Sequence, residues 1–475
     1  MTLVDRQSRS LVDRYVEVRG TTEELAAPLS AEDQTVQTMP DVSPTKWHRA
    51  HVTWFFETFL LTPSLRGYAE YDPAYGYLFN SYYETVGRRH PRPERGHLSR
   101  PGVEQIASYR AHADRAMLDL LASELEPATE DLVRLGLNHE QQHQELLLMD
   151  IKHVLSCNPL RPSYSADPVP RPITLEGEPS SDWRASGGPP PRTRGGMSVN
   201  TASSVVRPPA GGGSSWAEFP GGLVTIGNTG CSGAGGEFCF DNEGPVHSTY
   251  LEPFALARTP VTCADWLAFM DDGGYGRADL WLSEGWAAVN AGSWSCPGYW
   301  SRAGDAWELF TLNGPRPVDP AEPVCHVSYY EADAFARWAG ARLPTEFEWE
   351  SVAVDQPVRG NFMDSHLFHP TSGPPGPSMP NGSSEPEPCR AGSGEVTKMF
   401  GDVWEWTASP YVPYPRFSPA PGAVGEYNGK FMVNQQVLRG GSCVTPPGHI
   451  RATYRNFFPA SARWAFSGLR LARYL

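Results

Sequence analysis

A chain of 475 residues is too long for one ordinary domain, so two or three are expected. Its 40% hydrophobic content, with 15 Trp, 19 Tyr and 20 Phe, is ample for large cores. Its formal charge of −15 lacks the basic footprint that nucleic acid or an acidic membrane surface requires. The opening "MTLVDRQSRSLVDRYVEV" has no apolar signal core, and no run of 18 apolar residues occurs. The eight cysteines are scattered without a C-x-x-C pair, so a cytoplasmic protein with reduced thiols is expected.

In chain order, residues 8–157 read as helical. Segments 115–126 and 130–155 carry apolar residues at a period of 3.6, and Ser43-Pro44 offers an N-cap and N1 pair for a helix running through "TKWHRAHVTWFFETFLL". Trp47, His51, Trp54, Phe55 and Thr58 share one face of that helix. Several long amphipathic helices of this kind predict a helical bundle. Residues 158–215 are rich in Pro, Gly and Ser and read as a linker. From 216 onward Gly, Pro, Trp and Asn are frequent and apolar runs are short, which predicts a loop-rich α+β domain with one clear helix over 328–341 and a Pro/Gly loop over 369–388. The fold class is therefore multidomain, α followed by α+β.

The segment "LNHEQQHQELLLMD" (137–150) contains His139-Glu140-x-x-His143, the pattern of a zinc-protease helix. Histidines four apart lie on one helix face with Cβ atoms about 5–6 Å apart, close enough to share one ion. Two imidazoles are not a complete site, and no further His motif follows downstream. His51, among aromatics on the inward face of the earlier helix, is the preferred third ligand, with His48 as its competitor. One histidine on an apolar face is more often a core residue than a ligand, but the i, i+4 pair with a third inward histidine favours a metal. Three neutral imidazoles leave an ion its full charge and up to three open positions, which suits iron(II), zinc or copper. Gln142 lies about 60° around the helix from His139 and can reach a metal-bound ligand, whereas Glu140 is turned about 100° away.

"FNSYYETVGRRHPRPERG" (79–96) supplies Tyr82 and Tyr83, able to donate a proton or an electron, and Arg88, Arg89, Arg92 and Arg95, able to clamp a carboxylate. Any one of these taken alone is more simply a packing aromatic or a solvated base. In the C-terminal half, "LPTEFEWE", "GDVWEWTAS", "VLRGGSC" and "RATYRNFFPASARWAFSGLRLAR" read as turns pinned by Gly and Trp, with Trp349, Trp404 and Trp406 in the core.

These C-terminal blocks resemble the formylglycine-generating-enzyme-like (sulfatase-modifying factor, C-type-lectin-like) domain, and the N-terminal histidine pattern resembles a DinB-like bundle. In this order, with "SPTKWHRAH", "FNSYYE" and "NHEQQHQE", the chain resembles the ergothioneine-biosynthesis sulfoxide synthases over nearly its whole length. The resemblance implies an oxidoreductase that binds iron(II) through His51, His139 and His143 and uses O2 to join a thiol to hercynine (Nα-trimethylhistidine), leaving a sulfoxide. It implies that Gln142 orients the imidazole, that Asn456 binds the trimethylammonio acid end, and that Phe457 forms an aromatic wall. Where the branch using γ-glutamylcysteine has an Asp, this chain has Phe458. The stretch matching that branch's C-terminal-domain tyrosine, "RFSPAPGAVG" (416–425), has none. The pair Tyr82-Tyr83 resembles the branch that uses free cysteine, so cysteine is the expected donor, with Tyr82 and Tyr83 as equivalent proton-donor candidates and Arg92 or Arg95 on the cysteine carboxylate.

Alternatives remain: a selenosugar–hercynine synthase or an ovothiol-type synthase on the same scaffold, and, more remotely, the zinc protease. A formylglycine-generating oxidase is set aside because Cys443 has no second cysteine after it. Asp241, Asn242 and Glu243 read as a polar turn, with a structural calcium as the alternative.

Overall fold

In a computed structural model, residues 10–164, 216–229, 238–373, 396–420 and 422–475 are described. The expected linker over 158–215 lies outside them from residue 165, and the expected loop over 369–388 lies outside them from residue 374.

Four helices form the N-terminal bundle: α1 (Leu11–Ala26), α2 (Thr45–Phe56), α3 (Val103–Leu121) and α4 (Pro127–Cys157). Ser10 caps α1 through the N–H of Asp13. α2 begins one residue later than expected, with Pro44 as its N-cap. The reason lies in Ser43: its N–H bonds Asp150 (2.7 Å) and its hydroxyl accepts from Arg95 (2.9 Å), so it is committed to tertiary contacts. α2 continues into a π-helical turn, Glu57–Leu61, whose buried Glu57 accepts from Tyr68 and Tyr109. Residues 122–126, expected in a helix, form the connection to α4, which Pro127 opens.

α4 has 31 residues and serves two cores. Its first half packs Val133 and Leu137 with Tyr15, Phe56, Met117 and Leu120 inside the bundle. Its second half packs Leu147, Leu148, Ile151 and Leu155 against Phe310, Leu312, Val444 and Phe466 of the C-terminal domain. This explains the run "LLLMDI": a helix covered on nearly every side is apolar nearly all round. Gly136 lets α4 approach α2 closely, because a Cβ there would stand 2.7 Å from the Phe56 ring.

The C-terminal domain builds four small sheets from short strands. β1 (Trp216–Phe219), β4 (Phe254–Ala257) and β12 (Ala472–Tyr474) form one, and β2 (Gly222–Ile226) pairs with β3 (His247–Leu251). β5 (Trp300–Ala303), β6 (Ala306–Thr311) and β7 (Gly314–Pro317) form a third. The fourth has the order β10-β9-β8-β11, with β8 at Trp404–Pro410, β9 at Gln436–Arg439, β10 at Asn456–Phe458 and β11 at Ser467–Leu469. The expected helix is present as Tyr329–Trp338, capped by Ser328 and Glu331 in a reciprocal box. Trp349, Trp404 and Trp406 are fully buried, as expected. Two of them donate their indole N–H to Glu405 and the Val327 carbonyl, and Trp404 donates to Glu145 of α4.

Two expectations need correction or narrowing. Cys157, Cys263, Cys296, Cys325 and Cys443 are free, but Cys239 is in a disulfide, so the thiols are not all reduced. Asp241, Asn242 and Glu243 form the polar turn: both oxygens of Glu243 are held by Arg451 and Thr453, and Oδ1 of Asp241 accepts from Asn428. Among the described residues no helix is long and apolar enough to cross a membrane.

Glu140, the acid of the H-E-x-x-H pattern, is fully buried. Its carboxylate accepts from Arg19 (2.9 Å), Arg110 (3.1 Å) and Thr22 (2.7 Å), tying α1 and α3 to α4. Both oxygens are taken, so it cannot activate a water. Removing one member of a buried ion network strands the others, so Glu140→Ala should lower stability by about 3–5 kcal/mol. Chemical denaturation of the full chain measures this, and a loss below about 1 kcal/mol would contradict the assigned role.

Candidate metal centre

His51 on α2 and His139 and His143 on α4 converge. One nitrogen from each lies within 4.8 Å of the others, and they are the one such group of three or more possible metal-binding side chains among the described residues. Ring centroids are 5.0 Å apart for His51–His139 and 4.7 Å for His51–His143 and His139–His143. Aromatic walls surround them. His51 stacks between Trp47 (4.7 Å) and Trp54 (5.6 Å), and Phe55 contacts His139 (4.8 Å).

Hydrogen bonds fix which nitrogens are available. Nδ1 of His51 lies 2.6 Å from the Phe79 carbonyl, which only accepts, so Nδ1 carries the proton and the Nε2 lone pair is free. Nε2 is buried without a protein partner, as are both ring nitrogens of His139. His143 is oriented through His48, the residue that competed with His51 in the sequence. His48 Nε2 lies 3.0 Å from Asp150 and its Nδ1 lies 2.8 Å from Nδ1 of His143. With the Asp150 carboxylate accepting from Nε2 of His48, Nδ1 of His48 can accept from His143. That leaves Nε2 of His143 free. Three converging imidazoles, two of them fully buried with unpartnered nitrogens and the third half-buried, fit a divalent ion, and His48 and Asp150 support the third as carboxylate–histidine pairs do in metal sites. Burial, then the neighbouring imidazoles, holds His51 and His143 well below the usual histidine pKa, and burial alone pushes His139 down to about 3. All three are thus neutral at pH 7, the form able to bind a metal.

Around this trio the expected residues are distributed unevenly. Gln142 donates to the Tyr454 hydroxyl (2.7 Å) and accepts from Tyr427. Tyr83 is fully buried against Trp54 (5.6 Å), with a hydroxyl that has no partner; Tyr82 stacks on it (4.7 Å) and reaches partly to the surface. Arg95 is buried, lies 3.3 Å over the Trp47 ring, and donates to the hydroxyls of Ser43 and Ser81 (2.9 and 3.3 Å), with no carboxylate in ion-pair reach among the described residues. Arg92 is exposed and bonds the Asp41 carbonyl, so of the two arginines the structure brings only Arg95 to the site. Asn456, Phe457 and Phe458 lie on β10 and make no hydrogen bond or ring contact with the trio among the described residues. Phe457 stacks on Tyr411 (4.1 Å) and Phe431 (5.6 Å), while Phe458 packs on Trp464 (5.7 Å).

The motifs did not point to Tyr427 or Tyr454. Tyr427 lies two residues beyond the stretch that was expected to hold a tyrosine and has none. Its ring stands edge-on to His139 (5.4 Å), stacked on Phe240 (5.6 Å). A C-terminal-domain tyrosine therefore stands beside the trio. Burial raises its pKa well above 10, which keeps it protonated at neutral pH. The pairing Gly-Glu-Tyr-Asn-Gly was the available signal, since an aromatic inside a tight glycine-bounded turn is a common way to present one side chain.

Comparison with known proteins agrees with this architecture. A DinB superfamily model matches residues 14–147, and a sulfatase-modifying factor enzyme 1-like domain model matches residues 215–475. A hercynine oxygenase of Mycolicibacterium thermoresistibile is 30% identical over 448 residues, covering 91% of this chain and 88% of that protein. The chain belongs to the hercynine oxygenase family. The hercynine oxygenase of Mycobacterium tuberculosis is similar at 31% identity, with 91% of each chain covered. The formylglycine-generating enzyme of the same organism is 29% identical over 241 residues and covers 42% of this chain, so its likeness stops at the C-terminal domain. As a hercynine oxygenase family member the chain is an oxidoreductase.

Two outcomes test the centre. Asp150→Asn places an amide N–H beside His48 and opposes the proton arrangement that frees His143, so metal affinity should fall about 10–100-fold. Titration with cobalt(II), followed by its visible absorption, measures this; unchanged affinity would remove His48 and Asp150 from the site. In the metal-free chain the depressed histidines bind protons only after unfolding. Stability should therefore hold above pH 6.5 and fall as pH drops toward about 3, by up to about 1.4 kcal/mol per pH unit for each histidine. His139→Phe should flatten this slope in denaturation midpoints measured across that range.

Proposed function

We propose that this hercynine oxygenase family member catalyses the iron(II)- and O2-dependent joining of hercynine to cysteine. One C–H and one S–H are lost, a C–S bond forms, one oxygen atom stays on sulfur as the sulfoxide and the other leaves as water. The observation that carries this reading is the converging neutral trio, two of its members fully buried, faced by Gln142 and a protonated Tyr427 and flanked by an arginine with no ion-pair partner among the described residues. Iron(II), when bound by His51, His139 and His143, supplies the redox chemistry and lowers the pKa of a bound thiol.

The chain's own groups divide the remaining work. Gln142, fixed by Tyr454 and Tyr427, offers its amide to the hercynine imidazole. Arg95 pairs with the carboxylate of the thiol donor, which relieves a guanidinium whose pKa burial, and then Arg92, holds well below the usual arginine value. Asn456 and Phe457 take the trimethylammonio acid end of hercynine. Phe458 cannot pair with an ammonium group, which favours cysteine over γ-glutamylcysteine. The hydroxyl that supplies a proton comes from Tyr427 or from the Tyr82-Tyr83 pair. Ring contact with His139 favours Tyr427, and burial keeps all three phenols protonated. Tyr427 also supports a second reading, the use of γ-glutamylcysteine, because the branch with that donor resembles this chain in carrying its tyrosine in the C-terminal domain.

The test is anaerobic loading with iron(II), then air with hercynine plus cysteine, γ-glutamylcysteine or a selenosugar, read by mass. A sulfoxide with cysteine is expected; no hercynine-derived product from any donor would overturn the proposal. Tyr427→Phe should cut sulfoxide yield by about 100-fold or more and divert turnover to simple thiol oxidation. Full yield in that variant, with the loss appearing in Tyr82→Phe or Tyr83→Phe, would return the role to the pair.

A further inference from the structure

The tyrosines around the trio come from two domains. Tyr82 and Tyr83 follow the short helix Tyr75–Phe79 of the N-terminal domain, and Tyr427 lies between the 3-10 turns Ala423–Glu426 and Gly429–Phe431 of the C-terminal domain. One carboxylate joins the two segments. Glu426, buried and adjacent to Tyr427, accepts the backbone N–H groups of Glu84 (2.9 Å) and Thr85 (3.1 Å). Lys430 donates to the same carboxylate, and its Nζ lies 3.5 Å from the Tyr82 carbonyl. The Thr85 side chain adds a further hydrogen bond to the same carboxylate.

The rest of the Tyr82-Tyr83 segment is held from its own side. The Asn80 side chain accepts from the Tyr83 N–H and donates to the carbonyls of Tyr83 and Gly87. The side chain of Glu84 is drawn outward to Arg89 (2.7 Å). Across the gap, Tyr82 meets Tyr427 at 6.1 Å and Phe431 at 5.0 Å between ring centroids, both edge-on. Such contacts are weak and tolerate sliding, whereas two N–H groups pointed at one carboxylate fix both distance and direction.

We propose that Glu426 is a positioning residue, an inter-domain clasp that closes the Tyr82-Tyr83 segment onto Tyr427 and sets the separation of their hydroxyls across one space. Resting on the function proposed above, the clasp determines how turnover divides between sulfoxide and simple thiol oxidation, because a displaced phenol cannot deliver its proton to the bound substrate. Glu426 touches neither substrate nor metal in this assignment; it acts through the tyrosines.

Glu426→Gln is the test, in the full chain with iron(II). Glutamine keeps the shape but has one oxygen for two N–H groups and turns an N–H toward the other. Amide hydrogen exchange over residues 80–87 should quicken by about tenfold or more, as expected for loss of a hydrogen bond to a charged acceptor, with the remainder of the chain unchanged. The sulfoxide share of total product should fall several-fold while cobalt(II) affinity stays at the wild-type value. Glu426→Asp keeps two oxygens and should recover part of both effects. It also replaces the glutamine variant if that one does not fold. Unchanged exchange over 80–87, or an unchanged product ratio with quickened exchange, would overturn the clasp. If wild-type protein gives no hercynine-derived product, the functional reading fails, and exchange over 80–87 still decides whether Glu426 holds the segment.

Discussion

Everything at the centre depends on one helix being buried twice. α4 contributes two of the three converging histidines, and it can hold them at the boundary between domains only because its halves belong to different cores. The boundary is wet chemistry in a dry place. On one side of α4 Glu140 pairs with two arginines, which Asp114 and Glu23 also meet, and on the other Gln142 meets two phenols. Asn138, one residue before His139, meets His449 of the C-terminal domain. Asn138, Glu140 and Gln142 all have side-chain partners, whereas the nitrogens of His139 have none among the described residues.

That selectivity of partners separates ligands from their look-alikes. His48 and His51 both lie on α2 and both are buried, yet they differ in what their outer nitrogens meet. His51 meets a backbone carbonyl and keeps a lone pair free. His48 spans a carboxylate and another imidazole and has none left. The arginines differ too: Arg92 is spent on a backbone carbonyl at the surface, while Arg95 is buried with two serine hydroxyls and, among the described residues, no ion-pair partner. Burying a charge without a paired counterion is costly.

The sequence made the helical periodicity, the i, i+4 pair and the inward face of α2 legible, because all are local relations along one helix. From these came His51, His139 and His143, the bundle, and the reading of Gln142 as nearer the site than Glu140. Less visible were relations set by chain segments hundreds of residues apart. Tyr427 is delivered by a short 3-10 segment with no periodicity, and its role depends on Phe240 and Gln142, which no local pattern connects to it. Ser43 looked like a helix cap because its neighbours in sequence allow that; Asp150 and Arg95, its neighbours in space, decide otherwise.

The 31-residue α4 also constrains how the molecule can move. At about 1.5 Å per residue it is a continuous rod of roughly 46 Å with one end anchored in each domain. Two bodies joined by such a rod cannot swing apart like jaws without breaking the helix or pulling apolar side chains from a core. Held by such a rod, the two domains travel as one piece, and adjustment at the site falls to its short irregular segments, such as those around residues 80–87 and 422–431.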